Sequence, residues 1–434
     1  MLTRSRLQGD APADASAAAT VLRGGSVRES GMGSLRALGP GLVSGAADAD
    51  PTTIATLAVI AAGTVYKLAW LVLLLFPMIA IVQVIGTEVG VSSGRDLMGA
   101  VADGYGRLPR RLLLASVLAV NVVTIGADLE GGAAAISLLT SVDWRWFVLP
   151  LSLLLLALLM MGRYDQVERA LKYLLVGLFL YAAAAVVAHP RWGAVANGSL
   201  IPHFRWSGQY TADAISLIGT TLTSYVFVWQ TIAQVEHGHS RANLRMRKVD
   251  AILGSLVAVA VFWFILVATG ATLGIQHRHA DTAGDAARAL RPLAGPLAGD
   301  LFAIALLASA AVALSVLMAT TAYVTGSEAR SNNGLSLRLR EAPLFYGTLV
   351  TAALLGTGIA LSGVSPIRLL FIAGIIGGIA APIGLVLLLG VAGNRTLMRD
   401  RPVGRPLRAA GWAVTAIIAA SSLVFIVQPL TSKL

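Results

Sequence analysis

Two carboxylates, Asp48 and Asp50, stand in the run GPGLVSGAADADPTTIAT, Gly39 to Thr56, and a proline and two threonines follow at once. The rest of the run is small and apolar, and long apolar stretches flank it. An Asp at the centre of a membrane helix costs about 2.5–3.5 kcal/mol on insertion scales, so an uncompensated pair is disfavoured. Pro51 brings no N–H and pushes Asp50 before it towards extended backbone, which breaks a helix there. A break at membrane depth frees main-chain carbonyls, tolerated only where they line a cavity or hold something. Carboxylates, freed carbonyls and the hydroxyls of Thr52 and Thr53 make an oxygen-rich pocket of the kind that suits a hard cation. The competing expectation is that both acids only cap a helix end at the interface. The Gly45–Ala47 lead-in places Asp50 too deep for that, while Asp48 fits either role.

Two further stretches carry polar groups in apolar surroundings. SLIGTTLTSYVFVWQ, Ser216 to Gln230, crowds hydroxyls into the middle of an apolar run, and IGADLEGGAA holds Asp128 and Glu130. The six histidines, at 189, 203, 237, 239, 277 and 279, fall in expected loops, and HGH and HRH lack the further ligands at defined spacing that zinc requires. Ser315, Thr320 and Thr321 in ALSVLMATTAY, and Gly374, Gly377 and Gly378, read as helix-packing surface. Glu236 reads as interfacial. With no cysteine there is no disulfide, thiolate ligand or thiol nucleophile. No nucleophile elbow, phosphate loop or paired-carboxylate signature stands out. An enzyme would need Asp48, Asp50 and Asp128 to converge on a substrate.

The elements that must hold these residues follow from composition. Of 434 residues, 56% are hydrophobic and 13% charged, where a soluble chain carries about 25% charged. Apolar runs of this length recur, so the chain is expected to be an all-α polytopic membrane protein. Eleven spans can be marked, at 37–63, 68–90, 111–140, 146–162, 169–188, 213–235, 250–274, 298–325, 345–362, 366–392 and 409–429. An N-terminus on the cytoplasmic side puts most Lys and Arg in cytoplasmic loops and places the C-terminus outside a plasma (inner) membrane. The net charge of +11 is then loop charge rather than a nucleic-acid surface. Residues 1–36, rich in Ala, Ser and Gly with five arginines, have no continuous apolar core of a signal peptide and are expected to be a disordered cytoplasmic tail. Residues 37–434 form the membrane domain. Its interrupted segments open two runs of five spans, 37–188 and 213–392, followed by an extra helix at 409–429. Interruptions at matching positions of two halves point to a 5+5 inverted repeat with a site at the midplane.

These residues carry a family resemblance. GPGLVSGAADADPTTIATLAVIAAG resembles the first span of Nramp-type divalent metal transporters, whose signature there is Asp-Pro-Gly-Asn. The likeness continues through IVQVIGTEVGVSSGRDL (81–97), IGADLEGGAA, IGTTLTSYVFVWQ, TTAYVTGSEA (320–329) and FIAGIIGGIAAPIGL. It implies an inverted-repeat fold of eleven or twelve spans and a divalent metal ion as transported substrate, with the bilayer as surroundings and no permanently bound cofactor. It also implies that Asp50 is the metal-binding aspartate and that Thr53 stands where the family has asparagine. Thr223, Ser224 and Tyr225 replace Met-Pro-His, and the carbonyl ligands fall at Ala47 and Thr220. Asp128 is one of two proton-pathway acids, with Gly131 in the place of the second. Glu130, two residues on from Asp128, lies roughly 200° round a helix and does not replace it. Glu88 occupies a usually basic position.

Loss of the thioether removes preference for soft metals over Mg²⁺ and Ca²⁺. The SGAAD-x-DP and TT-x-x-x-Y-x-F-x-WQ patterns are similar to a magnesium-associated branch of the family. The expectation is transport of Mg²⁺ or Mn²⁺ by alternating access with weak or no proton coupling, through Asp50, Thr53, Thr223, Ala47 and Thr220. Asp48 and Asp128 are secondary acids, and Thr52, Ser224 and Tyr225 line the site. The alternative is a member that keeps the fold but serves as a sensor or in other membrane chemistry.

Overall fold

The computed structural model describes residues 39–204, 208–238, 243–276, 284, 286–288, 295–364 and 366–431. The expected tail and His239, His277 and His279 lie outside them. Helices α1 (Pro40–Ala47) and α2 (Pro51–Thr64) form one interrupted segment. Next come α3 (Ala69–Ser93), a short α4 (Leu97–Gly104), α5 (Arg107–Thr140) and α6 (Arg145–Met161), and then α7 (Tyr164–Leu178) and α8 (Leu180–Val187), nearly end to end. A short α9 (Trp192–Leu200) leads to the second interrupted segment, α10 (Gly208–Thr221) and α11 (Ser224–Glu236). Helix α12 (Leu244–Thr269) runs on into a π-helical turn, Gly270–Gly274, before α13 (Pro296–Ala329), α14 (Pro343–Leu361), α15 (Pro366–Gly393) and α16 (Arg405–Thr431). No strand occurs among the described residues.

Each expected span falls on one of these helices or helix pairs. Nine helical stretches among the described residues are long and apolar enough to cross a membrane, whereas α2 and the 17-residue α6 are shorter apolar helices. A count of eleven therefore takes the α1–α2 pair and α6 as spans. Helices α4 and α9 were not expected. Asp96 starts α4, its side chain accepting the Gly99 N–H at 2.9 Å. Gly193 and Gly198 obscure α9, since glycine disfavours a helix interior, and Gly198 is tolerated where the helix packs on the Tyr66 main chain.

The two interruptions have different local causes. Asp50 has extended backbone (φ −73°, ψ 161°) and caps α2, with Pro51 at the first helical position, where its missing N–H costs nothing. The second break, at Leu222 and Thr223, has no proline. Thr223 is extended (φ −75°, ψ 144°), and the Thr221 hydroxyl turns back onto the Leu217 carbonyl at 2.7 Å. Clustered hydroxyls compete with the helix ladder in this way.

Helix α13 is the centre of the bundle. Of its most apolar window 83% is buried, and it packs on α5, α7, α8 and α14. Helix α1 crosses α12 backbone to backbone. A Cβ at Gly45 would strike the Gly254 carbonyl, and one at Gly254 would strike the Gly41 carbonyl. Small residues allow such close crossings. The glycines read as packing surface in α15 behave differently. Gly377 faces open space, and Gly378 has only ordinary room against Ser422, at 3.4 Å.

Candidate metal site

The breaks meet in the middle of the bundle, where α1 ends against the start of α11. The Tyr225 hydroxyl, in the first turn of α11, lies 2.6 Å from the Ala47 carbonyl oxygen and 2.9 Å from Asp50 Oδ2. It has one proton to donate between those two oxygens. Asp50 Oδ1 accepts the Thr53 N–H at 2.6 Å. Asp48 Oδ1 lies 3.5 Å from the Thr223 hydroxyl, a distance at the limit for a hydrogen bond. Asp48 Oδ2 and the neighbouring Ser224 hydroxyl are buried without a hydrogen-bond partner.

Asp128 joins from α5. Its Oδ1 accepts the Thr52 hydroxyl at 2.9 Å and the Thr52 N–H at 3.2 Å, and its Oδ2 is buried without a partner. Asp48 and Asp128 both lie near enough to Asp50 to feel its charge. The Thr220 hydroxyl bonds the Ser216 carbonyl of its own helix at 2.8 Å, which turns that side chain away from a ligand role.

The three carboxylates are 1% (Asp48), 1% (Asp50) and 0% (Asp128) exposed. The ion pairs among the described residues join Arg95 to Asp103, Arg110 to Glu328, Arg145 to Asp143, Lys172 and His237 to Glu168, and Lys248 to Glu88, and none reaches these three. No group of three or more His, Cys, Asp and Glu side chains that could hold a metal ion occurs among the described residues. A cation here would therefore be held by one or two carboxylates together with carbonyls, hydroxyls and water. The helix ends favour this arrangement. The C-termini of α1 and α10 carry partial negative charge and end in carbonyls without a helical N–H partner, while the α2 N-terminus steadies Asp50.

A family profile described as natural resistance-associated macrophage protein-like matches residues 41–428. The chain belongs to the Nramp family. The divalent metal cation transporter MntH of Deinococcus radiodurans is 29% identical over 88% of this chain and 87% of its own length. The transporter of the same name from Mycobacterium tuberculosis is 27% identical over 91% and 92%. The crystal structure of the Eremococcus coleocola manganese transporter with an aromatic bis-isothiourea substituted compound superposes with a TM-score of 0.71 at 18% identity, covering 91% of this chain and 87% of that one. At that identity the likeness establishes the fold.

The residues of this Nramp chain that fix the first break were not expected from its sequence. The Ser309 hydroxyl of α13 donates to the Ala49 carbonyl. Gln230 accepts from the Ser44 hydroxyl at 2.5 Å and donates to Thr87 at 2.8 Å, tying α1, α11 and α3 together. Asp250 of α12 accepts the N–H groups of Gly39 and Gly41 at 2.9 and 2.6 Å and so caps α1. Asp250 and Gln230 were visible as polar residues in apolar spans. Their partners lie 143 to 211 residues away and left no local signal. Of the histidines, His203 bonds the Ile201 carbonyl at 2.6 Å and His237 lies beside Glu168 at 3.6 Å. Glu236, read as interfacial, accepts the Tyr323 hydroxyl at 2.7 Å.

Proposed function

We propose that this Nramp chain is a multi-pass transporter of a divalent metal cation, and not an enzyme. One observation carries the reading: Asp48, Asp50 and Asp128 are buried around two facing helix breaks, and none of the ion pairs among the described residues reaches them. Buried carboxylates persist when paired, protonated or bound to a metal, and a mobile divalent cation supplies the missing charge. The MntH relatives, named as divalent metal cation transporters, support the same class of substrate.

Among ions, Mg²⁺ and Mn²⁺ fit best. The candidate ligands are all oxygen, from Asp50, the carbonyls of Ala47 and Thr220, and the hydroxyls of Thr53 and Thr223, with Asp48 adding charge. Mg²⁺ tends to keep several waters, so so few protein ligands suit a partly hydrated ion. Gly131 leaves Asp128 without a second acid on its helix face, which supports weak or absent proton coupling. The lysine and arginine distribution supports a cytoplasmic N-terminus in a plasma membrane. Uptake into proteoliposomes tests the function. Transport of Mg²⁺ or Mn²⁺ is expected, and transport of Cd²⁺ with neither of them would overturn it.

A second reading, of a chain that keeps the fold without transport, is favoured by one contact: Tyr225 already occupies the Ala47 carbonyl and Asp50. Calorimetric titration with Mg²⁺, Ca²⁺ and Mn²⁺ decides between the two, since binding of none would favour the second.

A further inference from the structure

Resting on the proposed metal site, we infer that Tyr225 sets how strongly a cation must bind there, by competing with it for the same two oxygens. The Ala47 carbonyl belongs to the last turn of α1, where no helical N–H is available to it. Asp50 Oδ2 is left over after Oδ1 has taken the Thr53 N–H. Both are strong acceptors with little access to water, and one hydroxyl proton serves them at 2.6 and 2.9 Å. Tyr225 is fully buried, so its hydroxyl has no solvent to turn to.

A cation bound by the carbonyl and the carboxylate must take those oxygens from the phenol proton. Hydrogen bonds to charged groups are worth roughly ten- to a hundredfold in an equilibrium constant. That handicap applies equally to every ion. It therefore leaves the ratio of affinities unchanged but lowers all of them: a divalent ion, which gains about twice the Coulomb energy of a monovalent one from the same oxygens, stays in the binding range, and K⁺ or Na⁺ falls below it. Thr223 and Thr220 are poor substitutes in this role. Thr223 is only at the limit of contact with Asp48, and the Thr220 hydroxyl is held by its own helix. The tyrosine therefore sets the threshold that a cation must exceed to bind, through the proton it donates.

Tyr225→Phe removes the donor and keeps the ring. Titration of purified protein with Mn²⁺ and Mg²⁺, each with and without excess K⁺, reads the effect. The expected result is divalent affinity about tenfold or more tighter than wild type, with K⁺ now competing measurably where it does not in wild type. A loss of packing alone would not create K⁺ competition. Tyr225→Leu, which keeps apolar bulk without adding a proton donor or a soft ligand, carries the same test if the phenylalanine variant does not fold. Weaker binding would show that the hydroxyl is a direct ligand and overturn the inference, as would unchanged affinity without K⁺ competition. If neither wild type nor variant binds a divalent ion, the proposed function itself falls, and this inference with it.

Discussion

At the scale of single residues, the candidate site depends on few groups, and each can be removed separately. Asp50→Ala removes the carboxylate at the break but leaves Pro51 at the start of α2. Metal affinity is expected to fall more than about a hundredfold, beyond the 10–100-fold typical of groups that only support ligands. The protein should remain extractable and folded. Calorimetry on the purified variant checks this, and near-normal affinity would remove Asp50 from the site. Thr223→Met adds a thioether beside Asp48, and soft ligands favour Mn²⁺ and Cd²⁺ over Mg²⁺. Competition uptake in proteoliposomes should show the order shifting towards Cd²⁺. An unchanged order would mean that the second break does not face the ion. The position of Asp50 could be read from its proline, whereas the grip of Tyr225 on it could not, because 175 residues separate the two.

At the scale of elements, the site depends on how α1 is held. Its crossing with α12 leaves no room for a side chain at Gly254, because the atom in the way is a main-chain carbonyl. Gly254→Val is expected to destabilise the fold by about 1–3 kcal/mol, the usual range for overpacking. It should lower the thermal midpoint in detergent, while the same change at Gly377, which faces open space, should have far less effect. The start of α4 gives a pH prediction. Loss of solvent pushes the Asp96 carboxyl above its ordinary range, against the opposing pull of the Ser327 hydroxyl and the Gly99 N–H. A carboxyl raised in the folded state holds more protons there than in the unfolded chain, so its contribution to stability improves as pH falls from neutral. Asp96→Asn still offers an oxygen for the Gly99 N–H but does not titrate. Its melting midpoint should therefore vary less than that of wild type between about pH 4 and 7. Equal slopes for the two proteins would show that Asp96 does not contribute.

At the scale of the whole molecule, the question is what drives transport. Asp128 reaches the site through Thr52, and Gly131, one turn on, offers no next acceptor for a proton. Metal entry is expected to follow the metal gradient and membrane potential. A metal-dependent acidification of liposomes at zero applied pH gradient, absent in Asp128→Asn, would overturn this. Sequence alone determined the membrane class, the run of apolar helices and both breaks. Those properties follow from apolar run length, Pro51 and clustered hydroxyls, all of which act within a few residues along the chain. It also led to the family, because the motifs keep their order. Tertiary structure alone decided which oxygens are already taken. The Tyr225 bridge, the Ser309 bond to Ala49, the Asp250 cap on α1 and the Gly45–Gly254 crossing each join residues that are 175 to 260 positions apart or packed on separate helices. Hydrogen bonding and close packing act through space, so composition and periodicity along one helix cannot reveal which distant helix supplies the partner.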